Sequence, residues 1–244
     1  MNKKSQNTQF QNATASTLKA ISGDLDSERE IKFSGSSSYL SSKEIRLPQI
    51  LKELDTTQLS KLRGESDKIA LKIKYHDPIL HNKHLPSSDL SSQIFQFAED
   101  ARIEAVGSKN LVGIKNNLQN LVEEKFKETI LPIPGGDDKE ALVNALHLVI
   151  REKITGCASP ANTSVSLEKW RPWINSKIGN LLNQLAENTQ DQEKKKKKIR
   201  ELLTALQADI GETDQNKSGE NEDDTDQSHP DKNEENDSSA QSES

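Results

Sequence analysis

The sequence has few of the features that mark a secreted or membrane-embedded protein. It contains one cysteine, Cys157, so no intramolecular disulfide can form, and its first residues lack the apolar core of a signal peptide. No apolar run approaches the roughly 20 residues that a membrane-spanning helix needs. These absences predict a cytoplasmic protein. Hydrophobic and aromatic contents of 31% and 4% are low for a self-sufficient core, which leaves room for a partner surface to complete it.

The C-terminal stretch also lacks apolar residues. After Ile210 no Val, Ile, Leu, Met, Phe, Tyr or Trp occurs in "GETDQNKSGENEDDTDQSHPDKNEENDSSAQSES". The stretch holds 12 acidic residues against two lysines, a net charge of −10. Such a segment cannot bury enough apolar surface to offset the entropy of ordering it, so residues 211–244 are predicted to be a disordered acidic linker or tail.

Without the tail, the chain is only mildly basic. Residues 1–210 carry 31 Lys and Arg against 27 Asp and Glu, a net charge of +4, and the two signs are interleaved outside one lysine run. A duplex-DNA footprint normally needs a concentrated basic face. Nucleic acid is therefore not the favoured partner.

The apolar periodicity predicts a mainly α-helical domain. Residues 1–7 are expected to be disordered, and the domain is expected to span residues 8–210. A small β-hairpin is predicted near its start, pairing Ile31 and Phe33 with Ile45 and Leu47 around "SGSSSYLSS". Apolar residues recur at helical spacing in seven segments, namely 10–21, 59–73, 94–105, 111–122, 142–154, 170–185 and 199–206.

Two polar groups could carry chemistry. "YHDPILHNKH" gathers His76, His81 and His84 near Asp77, but Pro78 interrupts the helical spacing that metal ligands prefer, so a solvated loop is the favoured interpretation. The second group, in "FAEDARIEAVG", presents Glu99, Asp100, Arg102 and Glu104 within two helical turns. An ordinary solvated face is favoured for it, ahead of a partner interface and of acid–base catalysis.

Two further clusters could bind a partner. The five lysines from Lys194 to Lys198 cover every face of a helix without interleaved aromatics, which favours a solvated helix start over a nucleic-acid site. "LEKWRPWI" brings Trp170 and Trp173 together, which favours a core anchor over an interface hot spot. No phosphate-binding glycine loop, Gly-x-Ser-x-Gly elbow or Asp-x-Ser-x-Ser motif occurs, so these residues offer no credible catalytic, cofactor or metal site.

Three separated stretches, "AEDARIEAVGSKNLVGIKNNL", "LVIREKITG" and "WRPWINSKIGNLL", resemble in order and separation the N-terminal region of the CobT subunit of aerobic cobaltochelatase. The resemblance extends to "RLPQI" and "GESDKIALKIKYHD" and spans nearly all of residues 13–210. It implies a helical region followed by an acidic linker, and the chain is expected to stop before the family's von Willebrand factor A domain, where the family's metal site lies.

The resemblance also implies a function. In that family an ATP-dependent complex inserts cobalt into hydrogenobyrinic acid a,c-diamide during cobalamin biosynthesis. The T subunit joins an AAA+ subunit in a ring-like assembly, and a large subunit carries the corrin. The complex would use ATP, magnesium and cobalt, none of them bound by this chain. The matched positions Arg102, Glu104, Trp170, Arg171 and Trp173 are the candidate partner interface. A stand-alone interaction or nucleic-acid-binding protein is the alternative.

Overall fold

The computed structural model describes residues 3–25, 28–50, 56–109, 111–134, 138–187 and 191–210. The acidic tail of residues 211–244 lies outside them, so its disorder stays a prediction. Within the described residues the chain is mainly helical, as predicted, and forms eight helices and three short strands. Their bounds are α1 Lys3–Ser22, β1 Glu30–Phe33, β2 Tyr39–Leu40, β3 Glu44–Leu47, α2 Thr56–Tyr75, α3 Pro78–His84, α4 Asp89–Ser108, α5 Val112–Phe126, α6 Lys139–Thr155, α7 Ala161–Glu187 and α8 Gln192–Ile210.

The N-terminal unit consists of α1, α2 and the small sheet. Helix α1 begins at Lys3, whereas the sequence predicts a disordered segment through residue 7. The sheet pairs Ile31 with Ile45 and Phe33 with Leu47, but β1 and β3 run parallel, so the predicted hairpin between them was wrong. The segment between them forms a third strand, β2, which pairs antiparallel with β3. The chain therefore turns back once between β1 and β2 and again between β2 and β3.

Helix α3 has no counterpart in the sequence prediction, which expected a loop after Asp77. The Asp77 carboxylate accepts hydrogen bonds from the backbone N–H groups of Ile79 and Leu80, and Pro78 occupies the first turn. Proline is tolerated at that position because its missing N–H would have no intrahelical partner. Asp77-Pro78 therefore begins a new helix after a gap of two residues from the end of α2 at Tyr75.

Helix α7 starts earlier than its tryptophans suggest. The apolar spacing of residues 170–185 predicts a start near Trp170, but α7 begins at Ala161 and Pro172 lies inside it. The proline is exposed, while the apolar stripe on either side of it is fully buried and packs on α6 and α8. Burial of this stripe offsets the lost hydrogen bond. The buried stripe consists of Leu167, Trp170, Ile174, Ile178, Leu182 and Leu185.

Helix α4 lies at the centre of the domain and packs against α2, α5, α6 and α8. Its contact with α2 is close at Gly107, where an added Cβ would collide with the side chain of Leu71. The larger apolar core joins α4, α6, α7 and α8, and a separate cluster joins α1, the sheet and α2. No described helix is long and apolar enough to cross a membrane. Because α4 has neighbours on several sides, its polar residues have little access to water.

Candidate functional site

Helix α4 carries a buried ion pair where the sequence favoured a solvated face. Glu99 is fully buried and Arg102 is 2% exposed. The Arg102 guanidinium donates to both Glu99 carboxylate oxygens, with Nε and Nη2 each 2.9 Å from their acceptors. The favoured interpretation was wrong because α8 covers this face of α4. A fork-to-fork pair of this kind is stronger than an exposed i, i+3 contact.

The end of α2 completes the surroundings of Glu99. The carbonyl of Tyr75 accepts a 2.6 Å hydrogen bond from Arg102, and Nδ1 of His76 donates to Glu99 Oε1 over 2.8 Å. Burial raises the pKa of Glu99, but the hydrogen bonds from Arg102 and His76 outweigh it and hold the pKa to about 2. Glu99 is therefore a carboxylate at any physiological pH.

Two lysines of the predicted solvated run also lie in the interior. Lys195 and Lys196 are both 0% exposed, so the prediction of a solvated helix start was wrong for them. They lie four and three residues before Ile199 and continue the buried stripe of α8 toward its N-terminus. A run of five lysines on a half-buried helix must place some of them on the inner face.

Their ammonium groups are poorly compensated. Lys195 Nζ donates a 2.7 Å hydrogen bond to the carbonyl of Leu185. Lys196 Nζ has no hydrogen-bond partner among the residues that the structure describes, and it lies 5.6 Å from the centre of the Phe95 ring. Burial lowers the pKa of Lys195 to about 7 and that of Lys196 to about 8. We call His76, Glu99, Arg102, Lys195 and Lys196 the buried charge network.

The histidines of "YHDPILHNKH" meet this network. Because only two residues separate α2 from α3, the ring centres of His76 and His81 lie 4.8 Å apart, and their ligand atoms lie within 4.8 Å of a Glu99 oxygen. Such a set could hold a metal ion by geometry alone. Glu99, however, already accepts hydrogen bonds from Arg102 and His76, and the surrounding charges of Arg102, Lys195 and Lys196 repel a divalent cation. This electrostatic setting favours an internal ion-pair network over metal binding.

The stability of the chain should depend on His81 in mild acid. Burial and the charge of Lys196 lower the His81 pKa from 6.5 to about 4, so the unfolded chain binds the proton more readily. The stability that the protein has because His81 is neutral is complete above pH 6.5 and is lost as the pH falls toward 4. We expect this loss to remove about 2 kcal/mol of unfolding free energy between pH 7 and pH 4.5.

Urea unfolding at the two pH values measures this loss, and an NMR titration of the His81 ring reports its pKa directly. His81→Phe keeps a ring against Phe95, whose centre lies 5.0 Å from that of His81. The variant should show a pH dependence smaller by the same amount. An identical pH profile in the variant would contradict the assignment.

The opposite side of α4 carries a second buried pair. Glu104 accepts from Arg151 of α6 at 2.6 Å and 2.9 Å, and Arg151 also donates to Gln119 of α5. Arg151 is 3% exposed. It was not among the candidate residues of the sequence analysis, although an arginine within the apolar run "ALHLVIREKI" is the signal that could have identified it. Arg102 and Glu104 thus make internal contacts, which leaves little of either side chain for a partner.

The tryptophan cluster divides into a core residue and a surface residue. Trp170 is 5% exposed and donates from Nε1 to the carbonyl of Pro132 over 2.7 Å, as expected of a core anchor. Trp173 is partly exposed and packs edge-on against Trp170, with ring centres 6.0 Å apart. Arg171 bridges Glu152 and Glu168, and its side chain is 33% exposed. Of the five candidate interface residues, Arg171 and Trp173 are the two that remain accessible.

Comparison with known proteins gives one family. Residues 4–244 match the family model described as "Cobalamin biosynthesis protein CobT". No solved structure matches the chain.

Proposed function

Since the chain belongs to the CobT family of cobalamin biosynthesis proteins, we propose that it is an assembly subunit of an ATP-dependent cobaltochelatase. This complex inserts cobalt into hydrogenobyrinic acid a,c-diamide. An AAA+ subunit hydrolyses ATP with magnesium, a large subunit holds the corrin, and cobalt is the inserted substrate. The role of this chain is to bind the AAA+ subunit within a ring-like assembly.

An apolar surface beside the tryptophan cluster carries this proposal. Ile133 follows Pro132, the residue that contacts Trp170, and its side chain is 58% exposed. Ile130 in the same segment is 89% exposed. Together with the partly exposed Trp173, these residues combine an aromatic anchor with apolar side chains. That composition is typical of interface hot spots.

The lysine run from Lys194 to Lys198, on which a nucleic-acid-binding function would depend, is largely buried or paired. Two of the five lysines in the run are buried, and the other three pair with acids of their own helix or its start. Lys194 pairs with Asp191, Lys197 with Glu193 and Lys198 with Glu201. Strong phosphate binding requires several cations on one accessible face, and only the three acid-paired lysines of the run are accessible. We therefore expect no appreciable oligonucleotide binding at physiological salt.

Co-elution of the full chain with the AAA+ cobaltochelatase subunit of the same organism tests the assembly role. Mixtures are separated by size-exclusion chromatography with light scattering, in ATP, in ADP and without nucleotide. A stable complex in at least one state is the expected result. Absence of a complex in all three states, with and without the large subunit, would overturn the proposal.

Trp173→Ala should weaken that association at least about tenfold, because it removes the aromatic anchor from the proposed interface. The fold should persist, since Trp170 keeps its position in the core. Tyr39→Ala is the matched control, because Tyr39 is a 53% exposed aromatic residue on the small sheet. Titration calorimetry and thermal unfolding of both variants separate binding from stability. Equal weakening by the two substitutions would remove Trp173 from the interface.

A further inference from the structure

A cavity of about 110 Å³ opens among α2, α4, α5 and α6, on the side of α4 away from the buried charge network. Phe97, Leu118 and Leu121 contribute its apolar wall, and His147 and Arg151 of α6 lie in its buried part. The volume corresponds to about three or four water molecules in the liquid. A short organic group fits such a space, whereas a drug-sized ligand or a nucleotide requires several hundred Å³.

Cations exceed carboxylates around this cavity. Two carboxylates, Asp100 and Glu104, line it together with four cations, namely Lys68, Lys72, Lys125 and Arg151. Both carboxylates are already paired, Asp100 with Lys68 at 2.9 Å and Glu104 with Arg151 at 2.6 Å. Among the described residues, neither Lys72 nor Lys125 forms an ion pair. Of these two, Lys125 has its ammonium beside Phe97 and His147 in the cavity wall, and its positive charge remains for a ligand.

Lys125 is the cation best placed to receive an anion. Lys125 as a whole is exposed to solvent. Its ammonium nevertheless lies 4.9 Å from the centre of the Phe97 ring and 3.5 Å from Nδ1 of His147. His147 in turn stacks on Phe97, with ring centres 4.0 Å apart and planes inclined by 12°. Burial and the charge of Lys125 lower the His147 pKa well below its ordinary value, so this ring is neutral. The ammonium thus borders an aromatic wall, and the nearby carboxylate of Asp100 is paired with Lys68.

We propose that this cavity binds the carboxylate of a small organic acid with a short apolar chain. The carboxylate lies at Lys125, and the chain contacts Phe97, Leu118 and Leu121. A charge-assisted contact to an ammonium favours an anion, and the apolar wall favours a carbon chain over a fully hydrated inorganic ion. The inference does not depend on the proposed assembly role, which involves α7.

Binding of sodium butyrate to the full chain tests this proposal. Titrations are followed by NMR of the His147 ring and of the backbone amides, in a buffer free of carboxylate and phosphate. Butyramide is the neutral probe of matched shape, and inorganic phosphate is the probe without an apolar chain. We expect saturable shifts of His147 with butyrate and at least about tenfold weaker binding of the other two.

Lys125→Met should weaken butyrate binding at least about tenfold, because it removes the ammonium and keeps the stem. Lys127→Met is the matched control, since Lys127 is an exposed lysine just beyond α5 that does not line the cavity and pairs with Glu124. Thermal unfolding confirms that both variants are folded. Three results would each overturn the proposal, namely no shift with butyrate, equal binding of butyrate and butyramide, and a preference for phosphate.

Discussion

Glu99→Gln is expected to lower the unfolding free energy by about 3 to 5 kcal/mol, the range for breaking a buried ion pair by removing one partner. The amide cannot neutralise Arg102, and the network then holds Arg102, Lys195 and Lys196 without an anion. Each of these three side chains is at most 2% exposed, so water cannot replace the lost carboxylate. The lysines should respond by losing protons near neutral pH.

Denaturant unfolding of the purified chain at pH 7 measures this loss. Asp100→Asn is the matched control, because Asp100 is the next residue of α4 and pairs with Lys68, whose side chain is 46% exposed. It should cost no more than about 1 kcal/mol. The double variant Glu99→Gln/Lys196→Met should recover part of the loss, since it removes one uncompensated cation. Equal effects of the two single substitutions would show that Glu99 has no special role.

The helices that carry their own boundary signals could be predicted from sequence. Helix α6, Lys139–Thr155, contains the predicted segment 142–154, and the sequence carries a signal at each of its ends. Asp138 accepts a hydrogen bond from the N–H of Ala141, and Gly156 has a φ of +68°. Both signals act within one helical turn, so neighbouring residues are sufficient to encode them.

Features that depend on packing between distant segments could not be predicted in the same way. The parallel pairing of β1 and β3 depends on where β2 lies, and the internal position of Pro172 depends on α6 and α8 burying the α7 stripe. The burial of polar side chains also depends on packing between distant segments. Helical spacing from Ile199 places Lys195 and Lys196 on the apolar stripe of α8, but only the packing of α4 and α7 against that side shows that the stripe is covered as far as these lysines.

The candidate site, too, was only partly predictable from the sequence. The identification of the family rests on stretches of sequence, and it required no structure. The role of each matched residue did require it, because Arg102 and Glu104 belong to pairs whose other members include Arg151 on α6. A residue that matches a family motif is therefore a candidate for internal architecture as much as for an interface, and its exposure decides between the two.

Lys196→Met should stabilise the chain by about 2 kcal/mol at pH 7. The lowering of the Lys196 pKa from 10.5 to about 8, chiefly by burial, corresponds to a net cost of about 3 kcal/mol for the charged form in the folded protein. Loss of the contact with Phe95 subtracts about 1 kcal/mol from the gain. Methionine has a flexible apolar side chain that fills a similar space. For a domain of this length the melting temperature should rise by roughly 4 to 8 °C.

The sign of the pH dependence tests this account further. The folded-state pKa lies below the unfolded value, so the cost of the charged lysine is complete below pH 8 and disappears as the pH rises toward 10.5. The advantage of Lys196→Met should therefore be greatest at neutral pH and shrink by pH 10. Lys197→Met is the control, because that lysine's side chain is 62% exposed, and its effect should stay within about 0.5 kcal/mol. Destabilisation by Lys196→Met at every pH would mean that the ammonium has a compensating anionic partner in the folded protein.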